Sequence, residues 1–215
     1  MSGNRLDDES FRPDLFRELT GIQTLDLSVN RLRIITNRTF AAFPSLMTLM
    51  LSYNYIERFD PGAFLVQDTL GAVDLTGNSN LKILRRDVFA SNLHTLQYLS
   101  LSEMEGLERI EKGAFLYLNS LKYLYMEHVG NLTYWPDDFF IGLANLEEFK
   151  MTNVPYVRKL PPLRGQKNLE FLFLPITGIE VVQDDLCAQA PELKQIQSNA
   201  ILGTPVTSDV ICMHG

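Results

Sequence analysis

Apolar and variable positions recur along this chain in one fixed frame. Beginning at Ile22, apolar residues stand at Ile22, Leu25 and Leu27, followed by Asn30 and then Leu32. The frame returns at Leu46, Leu49, Leu51, Asn54 and Ile56, and again at Leu70, Val73, Leu75 and Asn78. Leu96, Leu99 and Leu101 repeat it, then Leu121, Leu124 and Met126, then Leu146, Phe149 and Met151. Leu169, Leu172 and Leu174 follow, and the frame fades at Leu193 and Ile196. Successive starts lie 24, 24, 26, 25, 25, 23 and 24 residues apart. Alternation of apolar and variable residues predicts a half-buried strand. A constant period of this length predicts a solenoid of stacked coils. Each coil then supplies one short strand, with about eight strands stacked in parallel roughly 4.8 Å apart.

The second half of each coil has its own register. The columns are Leu32, Ile35 and Phe40; Ile56, Phe59 and Phe64; Leu81, Leu84 and Phe89; Leu107, Ile110 and Phe115; Leu132, Trp135 and Phe140. A further apolar residue stands three positions on at Phe43, Leu118 and Leu143. A strand and its return segment cannot bury an apolar face alone, so stacking joins the leucines into one core with a phenylalanine spine behind it. Where the chain leaves the strand there is no ladder, and the Asn side chain is expected to bond free backbone groups of adjacent coils.

This frame resembles the leucine-rich repeat. The second half, with Asp60-Pro-Gly-Ala-Phe64 and Glu111-Lys-Gly-Ala-Phe115, resembles the long "typical" subclass of animal extracellular proteins: Toll-like receptors, Slit-type guidance proteins and hormone-receptor ectodomains. The resemblance implies an α/β repeat solenoid, a curved rod with a parallel concave sheet and an irregular convex back. It fixes function poorly, because repeat scaffolds host many activities. Departures are visible. Asn30, Asn54 and Asn78 give way to Met104, Val129, Val154 and Thr177, and the loop lengthens by one residue from the third coil to the sixth.

Residues 1–21 are read as a partial first repeat, 22–192 as seven repeats, and 193–215 as a final half repeat with a C-terminal cap. Phe16, Leu19 and Ile22 match Phe40, Phe43 and Leu46 in spacing, so the chain is expected to begin inside a repeat, as a fragment of a longer protein. Cys187 and Cys212 are the only cysteines, and both lie in the terminal segment. A disulfide-closed cap is the expectation; a free buried Cys187 is the alternative. Family caps usually carry four cysteines, so this one departs from the pattern. Asn37-Arg-Thr39 and Asn131-Leu-Thr133 are glycosylation triplets placed in loops, although such triplets also arise by accident. With the cysteines and the subclass, they favour an extracellular origin.

Composition narrows the function classes. The chain has 215 residues, 46% hydrophobic and 21% charged, with Lys+Arg 19 against Asp+Glu 26 and a formal charge of -7. A disordered chain is excluded, and binding of nucleic acid by charge is disfavoured. No stretch of eighteen apolar residues exists, so no membrane insertion is expected within this segment. Signatures of nucleotide, zinc and serine-hydrolase chemistry are missing, and His94, His128 and His214 stand in different coils. No enzyme activity, cofactor or metal is expected. Trp135 occupies the column of Ile35, Phe59 and Ile110, which assigns it to the core.

What remains is the outer face of the strands. Its first column reads Thr24, Thr48, Ala72, Tyr98, Tyr123, Glu148, Phe171 and Gln195, and its second Asp26, Met50, Asp74, Ser100, Tyr125, Lys150, Phe173 and Gln197. A third runs through Ser28, Ser52, Thr76, Ser102 and Glu127, and a fourth through Val29, Tyr53, Gly77, Glu103, His128, Asn153 and Ile176. Large apolar side chains with a charged rim mark a protein-binding surface. The candidate ligand-binding residues are therefore Tyr98, Tyr123, Tyr125, Glu127, His128, Lys150, Phe171 and Phe173, in the fourth to seventh repeats. Asp26 and Asp74 are expected to matter little. Aromatics packed only on one another along the ladder remain the alternative. The reading is a non-enzymatic module of an extracellular receptor or secreted binder that engages a protein ligand or co-receptor. The competing reading is an intracellular repeat scaffold or adaptor.

Overall fold

A strand of three residues gains little from its own length, so each coil depends on the strands of its neighbours. The computed structural model describes residues 1–65, 67–89, 93–179 and 185–198. In chain order its strands are β1 (Thr24–Asp26), β2 (Ile34–Ile35), β3 (Thr48–Met50), β4 (Arg58–Phe59), β5 (Ala72–Asp74) and β6 (Ile83–Leu84). They continue with β7 (Tyr98–Ser100), β8 (Arg109–Ile110), β9 (Tyr123–Glu127), β10 (Glu148–Thr152), β11 (Phe171–Leu174) and β12 (Gln195–Ser198). The order β1-β3-β5-β7-β9-β10-β11-β12 makes one eight-stranded parallel sheet, as the frame predicts. The register also holds to the residue. Tyr98 pairs with Tyr123, Tyr123 with Glu148, Glu148 with Phe171, and Lys150 with both Tyr125 and Phe173.

The inward leucines form a single cluster in which Leu27, Leu49, Val73, Leu99, Leu124, Phe149 and Leu172 are all buried. Each such side chain contributes about 1.5–3 kcal/mol by leaving water. Behind them Phe40, Phe64, Phe89 and Phe115 stack at centroid distances of 6.0, 6.1 and 6.2 Å. The spine then departs from the expected column. Phe115 meets Phe139 at 5.1 Å, while Phe140 packs on Phe149 at 5.4 Å. Trp135, bulkier than Ile110 in the same column, lies 5.0 Å from Phe139 and shares that space.

The asparagines bond as expected, and the structure shows why they stop. Asn54 Oδ1 accepts from Leu32 N at 3.1 Å, and Asn78 Oδ1 accepts from Ile56 N at 3.2 Å. Asn54 Nδ2 donates to the carbonyls of Leu27 and Leu51. Each asparagine thus satisfies an amide in the coil before it. In the longer loops that amide turns back on its own coil: Leu81 N donates to Asn78 O, Leu107 N to Met104 O, and Leu132 N to Val129 O. The next coil then needs no polar side chain, and Met104, Val129 and Val154 are buried instead.

The back is more regular than expected. β2 pairs with β4 and β6 with β8, because Ile35 and Phe59, like Leu84 and Ile110, stand in register from coil to coil. Among the described residues helix is confined to a 3-10 turn at Pro13–Phe16 and to α1 (Leu186–Gln189). At the front, Gly3 N donates to Ser28 O and Leu6 N to Asn30 Oδ1, so this segment lies along the first coil. Phe16 packs on Phe43 at 5.7 Å, but Leu19 is exposed where its expected counterpart Phe43 is buried. At the other end Leu186 takes the buried position and Cys187 is exposed, which removes the buried-cysteine alternative. Cys212 lies outside the described residues.

Candidate functional site

On the outer face the register brings five of the eight candidate residues into one row. Lys150, on β10, sits between its paired neighbours, with Nζ 4.8 Å from the Tyr125 ring centroid and 5.3 Å from that of Phe173. A lysine ammonium over two ring faces is held by their quadrupoles, and its carbon stem covers apolar surface. Phe171 and Phe173 stack along β11 at 6.2 Å with an interplanar angle of 8°. Tyr98 meets Tyr125 edge to face at 5.5 Å and 89°. That contact is diagonal, since the residue directly opposite Tyr98 is Tyr123.

Tyr123 turns away from this row. Its hydroxyl donates to Glu147 Oε2 at 3.2 Å, and Lys122 Nζ donates to Glu147 Oε1 at 2.7 Å. The sequence frame leaves Glu147 and Lys122 outside the outward columns, so this anchor was not legible there. Ser100 is buried at 4%, below the diagonal tyrosine pair. Ser28 and Ser52 are buried as well and bond to one another at 3.0 Å, which corrects the outward placement of these two residues. Small hydroxyl side chains beside larger neighbours are covered by them.

The aromatics are half-buried, so they both pack on one another and present area to solvent. Burial, with the Glu148 carboxylate beside the hydroxyl, holds the Tyr125 pKa well above the usual tyrosine value. Burial also raises Tyr98, and the negative charges of Asp74 and Glu127 push in the same direction. The field of Glu147 and its hydrogen bond raise Tyr123. Glu148 Oε1 stands 2.8 Å from Lys150 Nζ as an ion pair without hydrogen-bond geometry.

The fourth column has a conformational identity that alternation does not reveal. Val29, Tyr53, Gly77, Glu103, His128, Asn153 and Ile176 all have φ between 53° and 76°, a region that costs non-glycine residues energy. It is the turn by which each coil leaves the sheet, and it sets His128 exposed at the rim. Gly77 serves a second purpose there. A Cβ on it would lie 2.5 Å from the Tyr53 ring, which crosses above and donates its hydroxyl to Glu103 Oε2 at 2.9 Å. The signal is a tyrosine followed one coil later by glycine.

Away from this face, Trp135 is core: it is 8% exposed, and its Nε1 donates to Lys159 O at 2.9 Å. Asn37 and Asn131 are exposed. Among the described residues no group of three or more His, Cys, Asp or Glu could hold a metal ion, and no helix is long and apolar enough to cross a membrane.

The family model described as leucine rich repeat matches residues 2–56, 20–66 and 68–132. Toll-like receptor 3 of Bos taurus is 32% identical over 200 residues, covering 93% of this chain and 19% of the receptor. Tsukushi of Gallus gallus is 26% identical over 82% of this chain and 60% of its own length. Among solved structures, the Drosophila Toll–Spatzle complex superposes with a TM-score of 0.77 at 18% identity, covering 92% of this chain and 26% of that one. The chain thus spans about a fifth of the length of the Toll-like receptor it matches.

Proposed function

Because the chain belongs to the leucine-rich repeat family, we propose that it is a non-enzymatic protein-binding module, the recognition region of an extracellular receptor or secreted binder. Its partner docks on the concave face, the outer face of the long sheet, across repeats four to seven. The observation that carries this reading is the row in which Lys150 lies between Tyr125 and Phe173, flanked by Tyr98 and Phe171. Such rings offer area at small entropic cost, and a cation held among them is ordered before binding. Glu127 and His128 form the rim, which governs orientation and on-rate more than affinity. The likeness to a Toll chain bound to Spatzle supports a protein as the ligand class.

The reading places the chain outside the cell or on its surface, with Asn37 and Asn131 as glycan acceptors and Cys187 bridged to Cys212. Reduced cysteines with unmodified asparagines in native material would favour an intracellular adaptor instead. The docking site is tested by screening the immobilised protein against purified secreted proteins and ectodomains, then titrating the binder calorimetrically. Tyr125→Ala should weaken binding by about 2 kcal/mol or more, roughly 30-fold. Asp26→Ala, at the far end of the sheet, should change it by less than about threefold. Thermal melts confirm that both variants fold. Equal small effects, or a larger one from Asp26→Ala, would place the site elsewhere.

A further inference from the structure

The outer face of the sheet distributes its charge unevenly. Its four columns contain Asp26, Asp74, Glu103, Glu127 and Glu148, and among lysines and arginines only Lys150. Lys150 is neutralised by Glu148, and at the strand starts Lys122 pairs with Glu147 and Lys194 with Glu170. Among the described residues Asp74, Glu103 and Glu127 pair with no cation. They surround aromatic rings. Asp74 lies opposite Ser100, two residues along the strand from Tyr98, and Glu103 accepts from Tyr53. Asp74 and Glu127 both act on the Tyr98 hydroxyl. The sequence frame groups Asp74 with Asp26, but the fold sets it beside the tyrosine pair.

We infer that the partner seated on this face is a basic protein segment whose anchoring residue is an arginine, laid against the Tyr98–Tyr125 pair with Asp74 and Glu127 as its counter-charges. The inference rests on the docking reading above and adds the partner's chemistry to it. A guanidinium stacks flat on an aromatic face and bonds carboxylates with two parallel N–H groups, whereas an ammonium is a strongly hydrated point charge. A carboxylate-rich face repels phosphate backbones and acidic segments, and it attracts a basic surface over roughly 10 Å at moderate salt. The neutral aromatic row from Tyr125 to Phe173 then covers the apolar residues that flank the arginine.

The test titrates end-blocked tetra-arginine, tetra-lysine and tetra-glutamate peptides into the full chain by calorimetry at low and high salt. Tetra-arginine should bind tighter than tetra-lysine, and tetra-glutamate should not bind. Asp74→Asn with Glu127→Gln should weaken tetra-arginine about tenfold, as two exposed ion pairs would. Asp26→Asn should change it by less than about twofold. High salt should weaken wild type more than the double variant. Unchanged affinity in the double variant, or binding of tetra-glutamate, overturns the basic-partner inference. Either result leaves the docking face to stand or fall on Tyr125→Ala with its own partner, so the two failures are distinguishable.

Discussion

At Trp135 one side chain is held by packing and by a hydrogen bond together. The ring lies 5.0 Å from Phe139 and 6.4 Å from Phe149, and its Nε1 donates to Lys159 O in the next coil. Trp135→Ala should therefore cost roughly 3–5 kcal/mol of stability. Trp135→Phe, which keeps a ring but leaves Lys159 O without its donor, should cost less, about 1–3 kcal/mol. Chemical denaturation measures both, and an unchanged midpoint in Trp135→Ala would remove the residue from the core. The tyrosines behave differently, because their rings are half-buried and their hydroxyls face carboxylates. Their truncation should register in binding before it registers in folding.

Between coils, the unit of stabilisation is the satisfied backbone amide. Two devices achieve it: an asparagine reaching back from the following coil, and a longer loop closing on its own carbonyl. Asn54→Leu removes the first device where the second is missing. Leu32 N loses its acceptor, while the carbonyls of Leu27 and Leu51 keep Asn30 Nδ2 and Asn78 Nδ2 as donors. One buried amide left without an acceptor costs about 1–3 kcal/mol, and a loss of that size is expected. Hydrogen exchange should accelerate at the Leu32 amide well before the amide of Leu132, whose acceptor is its own coil's Val129 O. Equal protection of both amides in the variant would mean that the side-chain bond is dispensable. The same exchange of devices lets β9 and β10, each of five residues, follow coils with Met104 and Val129 in place of the ladder asparagine.

Over the whole rod, stability is a sum of coils and their interfaces, so the last coil needs a shield. Among the described residues β12 pairs only with β11, and Leu193 and Ala190 are buried behind it. A bridge from Cys187 to Cys212 would close a loop of about 25 residues over that end, and loop-closure entropy for such a length is worth about 3.5 kcal/mol. Thiol titration of the denatured, unreduced protein from an oxidising compartment should find no free thiol. Two titratable thiols would sink the cap. With the bridge reduced, unfolding should begin at the C-terminal coils and spread along the stack, which hydrogen exchange would resolve by position.

The repeat, its period, the strand register and the inward leucines were determined by sequence alone, because a fixed frame leaves one way to align neighbouring coils. Trp135 was legible as core for the same reason: its column is apolar in every coil. The order of aromatics along the sheet was legible too, since alternation decides which residues face outward. Direction of side chains beyond that was not. Tyr123 swings to Glu147, Tyr98 leans diagonally to Tyr125, and Ser28, Ser52 and Ser100 sink beneath their neighbours. Those outcomes depend on the size and charge of residues one coil away, which no single repeat contains. Likewise Phe139 displaces Phe140 from the spine, and Asp74 joins the tyrosines and leaves Asp26 apart. A repeating frame fixes where each side chain starts, and only stacking decides where it ends, because each ring or carboxylate settles against partners from the coils on either side.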